Sequence, residues 1–295
     1  MRIGIDLGGT KTEAILLDYN GKKLFSKRIP TIKNYEGTIK GLINLIKEIE
    51  LNFSKIDSIG IGMPGAISTE TSLIKSANSV WMNGKPFKAD LEKILKKNVK
   101  IENDANCFSL SEAVDGAGKN HKIVYGVILG TGTGSGIVIN QKIHRGKNRA
   151  AGEFGHNFLP RSSDKEINLA EKCYCGLNGC IETFLSGPGF ANIFNKSYKT
   201  NFKSEEIVKL HSQNDERAVQ SLNDYIDRLA RALSDVINIL DPDIIVLGGG
   251  MSNIEYIYET INEKLLKYVF SDVVNTRVVK NIHGDSGGVR GAAWL

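Results

Sequence analysis

The sequence predicts an α/β protein made of two related halves, and three observations carry that prediction. A pattern of apolar strand, Gly/Thr turn and apolar strand opens the chain and returns 122 residues later. Each half also holds an amphipathic helix followed by a strand that ends in glycine. The 31 glycines concentrate at the ends of apolar runs, where a chain turns or a ligand approaches the backbone. A chain of 295 residues, 41% hydrophobic and 24% charged, has globular composition and length for about two domains.

Taken in order, Ile3-Gly4-Ile5-Asp6-Leu7, the turn Gly8-Gly9-Thr10-Lys11-Thr12 and Ala14-Ile15-Leu16-Leu17 read as a hairpin. Ile39, Leu42, Ile43, Ile46 and Ile49 keep helical spacing, and Ile59 to Gly65 is a strand with its loop. Val99 to Ile101 is a short strand before Glu102-Asn103-Asp104-Ala105-Asn106, with a helix suggested from Phe108 to Ala113. Gly116, Gly118 and Asn120 break the pattern between Asp115 and His121, which divides the chain into halves of 1–117 and 118–282. The repeat then sets Leu129 on Leu7, Gly130 on Gly8 and Ile137 on Ile15. Leu222, Ile226, Leu229, Leu233, Ile237 and Leu240 form the second helical stripe, stopped by Asp241-Pro242 before the strand Ile244 to Leu247 and Gly248-Gly249-Gly250. The tail, 283–295, lacks a strand signal and is expected to be a helix packing back on the first half. No low-complexity linker separates the halves, so short hinges should border a cleft.

Composition narrows the function classes. No run approaches the ~18 apolar residues of a membrane span, and Arg2 and Asp6 interrupt any leader-like start, so a cytoplasmic chain without membrane partners is expected. With 38 basic and 33 acidic residues the net charge is +5 and dispersed, apart from Lys93, Lys96, Lys97 and Lys100, which read as a solvated helix face. No nucleic-acid partner is expected.

The glycine turns carry the first chemistry. A turn of Gly and Thr offers backbone N–H groups and hydroxyls to an anion, with no side chain to hold a phosphate away. Two such turns in a repeat can face each other across a cleft; tight structural hairpins are the other reading. Neither turn is a dinucleotide fingerprint or a P-loop. Where the first hairpin has Asp6 the second has Ile128. A carboxylate ending an apolar strand needs either a turn hydrogen bond or a cation, for which Mg²⁺ carried by ATP is the natural candidate.

Glu102 to Asn106 stands at a strand end before a helix. Asn103 or Asp104 caps that helix, the reading that spacing alone favours, or Asp104 is a general base for a substrate hydroxyl. Cys173, Cys175 and Cys180 lie within eight positions while Cys107 stands apart, a pattern of metal binding in a reducing compartment. His156 completes a tetrahedral Cys₃His zinc site with no vacancy for water, hence a structural one. Such a metal would hold Glu153 and Glu182 on rigid loops, where carboxylates accept hydrogen bonds from sugar hydroxyls.

Together, Asp6 to Lys11, Glu102-Asn103-Asp104, Gly130 to Gly134, Gly152-Glu153-Phe154-Gly155-His156, Cys173 to Glu182 and Leu247 to Gly250 resemble the ROK family of sugar kinases and repressors, in the same order along the chain. The resemblance implies an actin-like ATPase (hexokinase/RNase-H-like) fold with two domains around a cleft. It places ATP phosphates between Gly8, Gly9, Thr10, Lys11 and Thr12 and the turn Gly130, Thr131, Gly132, Thr133 and Gly134, with Gly248, Gly249 and Gly250 near the adenosine. Asn103, Asp104, Glu153, His156 and Glu182 bind hexose, with Asp104 as base and Gly65 and Asn78 in the same substrate set; His156 also binds zinc. Ser135 departs from the glycine common in the second turn. The repressor branch carries a DNA-binding module ahead of the first hairpin, whereas here the hairpin starts at Arg2, so an enzyme is expected. The implied reaction is ATP-dependent phosphorylation of the 6-hydroxyl of D-fructose and/or D-mannose, with glucose and N-acetylglucosamine as competitors and a homodimer as the assembly. An actin-like ATP-binding assembly protein is the rival class; it would need neither the zinc nor Glu153, His156 and Glu182.

Overall fold

The computed structural model describes residues 1–77 and 79–295. The first part of the chain runs β1 (Arg2–Leu7), β2 (Lys11–Leu17), β3 (Lys23–Pro30), α1 (Tyr35–Asn52), β4 (Ser58–Met63), β5 (Ala66–Ile67), β6 (Ile74–Lys75), α2 (Phe87–Leu95), β7 (Val99–Asn103) and α3 (Asp104–Asp115). The second runs β8 (Ile123–Leu129), β9 (Thr133–Ile139), β10 (Lys142–Ile143), α4 (Asp164–Leu169), α5 (Glu182–Leu185), α6 (Gly187–Tyr198), α7 (Ser204–Ser212), α8 (Glu216–Leu240), β11 (Ile244–Gly248), α9 (Glu255–Leu265), β12 (Arg277–Lys280) and α10 (Gly287–Trp294).

The repeat is visible as two five-stranded sheets of the same order, β3-β2-β1-β4-β7 and β10-β9-β8-β11-β12. In each, a hairpin pairs antiparallel, and the inner strands pair parallel through crossover helices. The spacing of Ile39 to Ile49 buries one face of α1 beneath β1 and β4, and α8 buries Leu222, Ile226, Leu229 and Leu233 in the larger second core. Asp241, in the left-handed conformation at the end of α8, closes it just before Pro242.

Two details differ from the pattern read off the sequence. The hairpin turns are shorter than the Gly/Thr runs, because β2 already begins at Lys11 and β9 at Thr133, so Lys11, Thr12, Thr133 and Gly134 are strand residues. Pairing of β1 with β2 and of β8 with β9 continues to the last residue before each turn, and the ladder recruits polar residues that periodicity had assigned to the loop. The lysine group is not one helix face either. Only Lys93 lies within α2; Lys96 is its left-handed cap, and Lys100 belongs to β7.

Helices α3 and α10 lie together between the sheets, and each packs on the sheet it does not follow in sequence. α10 follows β12 yet rests on β1 and β4, while α3 follows β7 yet rests on β8 and β9. Glycines make the approach possible. A Cβ at Gly4 of β1 would stand 2.2 Å from the Val289 carbonyl oxygen of α10. Its counterpart in the repeat, Gly126 of β8, would meet the Ser109 hydroxyl of α3 at 2.2 Å. The chain therefore crosses from one sheet to the other at the start of α3.

Candidate active site

That crossing is where the acidic motif sits. Asn103 ends β7 with extended backbone, and its side-chain oxygen accepts from the N–H groups of Ala105 (2.9 Å) and Asn106 (3.3 Å). Asn103 is thus the N-cap of α3. Asp104 is the first helical residue, and its carboxylate accepts the Ala105 N–H at 2.9 Å. Burial raises the Asp104 carboxyl above its usual range against the lowering effect of backbone and Asn103 hydrogen bonds.

Asn103 also donates to the Gly65 carbonyl at 3.3 Å, in the left-handed turn that follows β4. Gly65, Asn103 and Glu153 line one pocket with Asn106, Arg145 and Arg149. Glu153 is exposed and faces this space. His156 and Glu182 stand at the cysteine cluster instead, and Asn78 lies outside the described residues. Arg145 and Arg149 carried no motif. Glu102 did belong to one, and a buried carboxylate signals a cationic partner, but nothing local in sequence points 43 positions on to Arg145.

The first hairpin contributes Asp6, whose carboxyl is pushed up to about 7 by burial first, then by Asp104 and Glu13, against Lys11 and Arg28. Arg28 pairs with Glu13 on the neighbouring strand. The turn itself is held from the residue after β3: Thr31 donates its hydroxyl to the Gly8 carbonyl at 2.8 Å and its N–H to the Thr10 carbonyl at 3.0 Å.

The second hairpin opens on another space. Gly130 and Thr131 line a cavity with Gly250, Met251, Gly187, Asn195 and Lys203. Gly248 closes β11, and Gly249, at a positive φ of 81°, turns the chain so tightly that a Cβ would lie 2.5 Å from the Leu129 carbonyl oxygen. Among the described residues Gly8 to Thr12 do not line this cavity. Thr133 keeps a buried hydroxyl oxygen with no hydrogen-bond partner among the described residues, a group suited to a polar ligand.

The cysteine loop gathers where spacing suggested. One ligand atom from each of His156, Cys173, Cys175 and Cys180 falls within 4.8 Å of all the others. Nδ1 of His156 faces the Cys173 sulfur at 3.6 Å, and the sulfurs of Cys175 and Cys180 are 3.6 Å apart. Burial raises the thiols of Cys173 and Cys180, the latter to about 12, while the Leu177 backbone hydrogen bond lowers that of Cys175; a cation bound among three sulfurs this close would take them as thiolates. The donor set and its closure fit zinc. Nε2 of His156 meets the Tyr174 hydroxyl at 3.0 Å. Glu182 ties this loop to the second turn, its Oε2 accepting from the Thr133 N–H at 3.0 Å.

Solved structures share this fold over the length of the chain. A ROK hexokinase from Thermus thermophilus superposes with a TM-score of 0.87 at 26% identity, covering 99% of this chain and 96% of that one. A ROK family glucokinase from Streptomyces griseus, in complex with glucose and AMPPNP, does so with a TM-score of 0.80 at 26% identity, over 100% and 98%. Two like sheets around a cleft make this an actin-like ATPase fold, and the class of protein is a sugar kinase. The ROK family model matches residues 2–295, and the chain belongs to that family. The N-acetyl-D-glucosamine kinase of Escherichia coli O1:K1 / APEC is 39% identical over 299 residues, covering 100% of this chain and 99% of the relative. No helix among the described residues is long and apolar enough to cross a membrane.

Proposed function

We propose that the protein transfers the γ-phosphoryl group of MgATP to the 6-hydroxyl of a free hexose, with Asp104 as general base. The observation that carries this reading is the division of labour between neighbours. Asn103 caps α3 and lines a pocket with Gly65 and Glu153, while the partly buried Asp104, one residue on, keeps its carboxylate out of the cap although it is not itself among the pocket's lining residues. Phosphoryl transfer asks a protein chiefly for in-line positioning and charge stabilisation, so one hydroxyl-binding pocket, one phosphate cradle and one proton acceptor suffice.

In this reading Asn103 and Glu153 hydrogen-bond the sugar hydroxyls, and Asp104 takes the proton of the attacking one. The cavity at Gly130, Thr131 and Gly250 supports a nucleotide site there, with Gly132, Thr133 and Gly134 lining the phosphates and Gly8, Gly9, Thr10, Lys11 and Thr12 closing from the first hairpin. Asp6 would hold the Mg²⁺ that accompanies ATP, and the charge of that ion would restore the ionised form that burial disfavours. Zinc held by His156, Cys173, Cys175 and Cys180 supplies rigidity, since the four ligands leave no site for water. His156 would bind it through Nδ1, on the cysteine side, and its Nε2 would reach a sugar hydroxyl in place of the Tyr174 hydroxyl that it meets at 3.0 Å; Glu182 braces the same loop.

For the acceptor, the expectation of fructose and mannose gives way to N-acetyl-D-glucosamine as first choice, because relatives at 38–39% identity over their whole length bear that name. Coupled ADP release against N-acetylglucosamine, glucose, mannose and fructose tests acceptor and reaction together. Hexose-dependent turnover is expected; ADP release that ignores every sugar would instead favour the assembly ATPase. Association as a homodimer and a cytoplasmic location complete the proposal.

A further inference from the structure

Glu102 is the last residue but one of β7, buried, and its carboxylate is fully used. One oxygen accepts from the Asn103 N–H and the Asn106 side-chain amide, each at 3.0 Å. The other accepts the Nε–H of Arg145, which reaches across from the segment after β10, the edge of the opposite sheet. This contact bridges the two sheets at the point where the chain passes from β7, in the first, to α3, packed on the second. Any rotation of one sheet against the other must be absorbed beside Asn103 and Asp104 or must break the pair. The Arg145 side chain also lines the pocket shared with Asn103 and Glu153. A buried carboxylate without a cation is costly, so the arginine is what lets an ionised Glu102 hold the turn in one conformation.

We infer that Arg145 is a positioning residue, which through Glu102 fixes the Asn103-Asp104 turn in the orientation that presents both residues to the hexose. The inference rests on the kinase reading above. Its effect runs through orientation: misplacement of a reacting group by about 1 Å costs roughly 10²-fold in rate. Because the Arg145 side chain is 44% exposed, removing it opens no core cavity, whereas Glu102 at 8% would be left buried and unpaired. Glu102→Gln removes that charge while keeping an oxygen for Asn103 and Asn106.

The test is a double-mutant cycle of Arg145→Ala and Glu102→Gln, with Arg145→Lys alongside, read as kcat and KM for the best hexose and for ATP, with thermal midpoints. Arg145→Ala should lower kcat/KM for the sugar roughly 10- to 100-fold and move the KM for ATP less than about twofold. Arg145→Lys should recover part of that loss. The double variant should be no slower than Arg145→Ala alone, since both act through one contact, while regaining any lost thermal stability. Unchanged kcat/KM in Arg145→Ala, additive losses in the double variant, or activity that tracks the thermal midpoint would each overturn the inference. Wild-type protein without hexose-dependent ADP release would sink the kinase reading instead, so the two failures are separable.

Discussion

Asn103 and Asp104 are adjacent, yet they divide two tasks that spacing alone could not separate. The Asn103 side chain accepts from the Ala105 and Asn106 N–H groups that start α3, and Asp104, one residue on, shares the first of these. Replacing Asp104 should therefore spare the helix. Asp104→Asn is expected to keep the far-ultraviolet spectrum and thermal midpoint and to lower kcat by at least ~10². Turnover at the wild-type rate in this variant would remove Asp104 from the role of base.

Acid inhibition should set in early. The base acts in its ionised form, and burial raises the Asp104 carboxyl, so kcat/KM should climb with pH through a value above the ordinary carboxylate range. A pH–rate profile flat down to the usual aspartate range would contradict this.

Asp6 links stability to function with the opposite sign from a salt-bridged carboxylate. Its folded pKa of about 7 lies above the ordinary aspartate value of 3.8, so its favourable contribution is complete below the lower value and is lost as pH rises through about 7. Asp6→Asn should accordingly raise the thermal midpoint at pH 8 while weakening MgATP binding. Melting curves and ATP titrations of the two proteins check both halves of the statement.

One zinc per chain is expected by elemental analysis, and Cys175→Ser, at the exposed ligand, should release it. Sugar KM should rise about 10- to 100-fold, with the KM for ATP little changed, because the loop carrying His156 and Glu182 loses its pin rather than a reacting group. An equal loss of activity with every sugar and with ATP would point to unfolding.

Packing between the sheets gives a stability test. At Gly4 an added methyl meets the Val289 carbonyl and Ala293 backbone nitrogen of α10, which cannot move without lifting the helix. Gly4→Ala should cost about 1–3 kcal/mol in urea unfolding. At Gly126 an added methyl meets the Ser109 hydroxyl at 2.2 Å and the Cβ and Cα of Ser109 at 2.8 and 2.9 Å, so α3 must shift as well and Gly126→Ala should cost a similar amount.

The sequence by itself determined the repeat, the hairpins and the four residues that gather at the cysteine loop. Those features are local: alternation of apolar residues, turn glycines and close-spaced thiols are imposed by the backbone over a few residues. What only the tertiary structure decided was which of Asn103 and Asp104 caps α3, that α3 and α10 each pack on the other sheet, and that Arg145 meets Glu102. Each depends on groups distant in the chain, brought together when two sheets bury their faces against the same pair of helices. Burial also sets the acidity of Asp6 and Asp104, because desolvation is a property of the assembled cleft and leaves no mark on residue order.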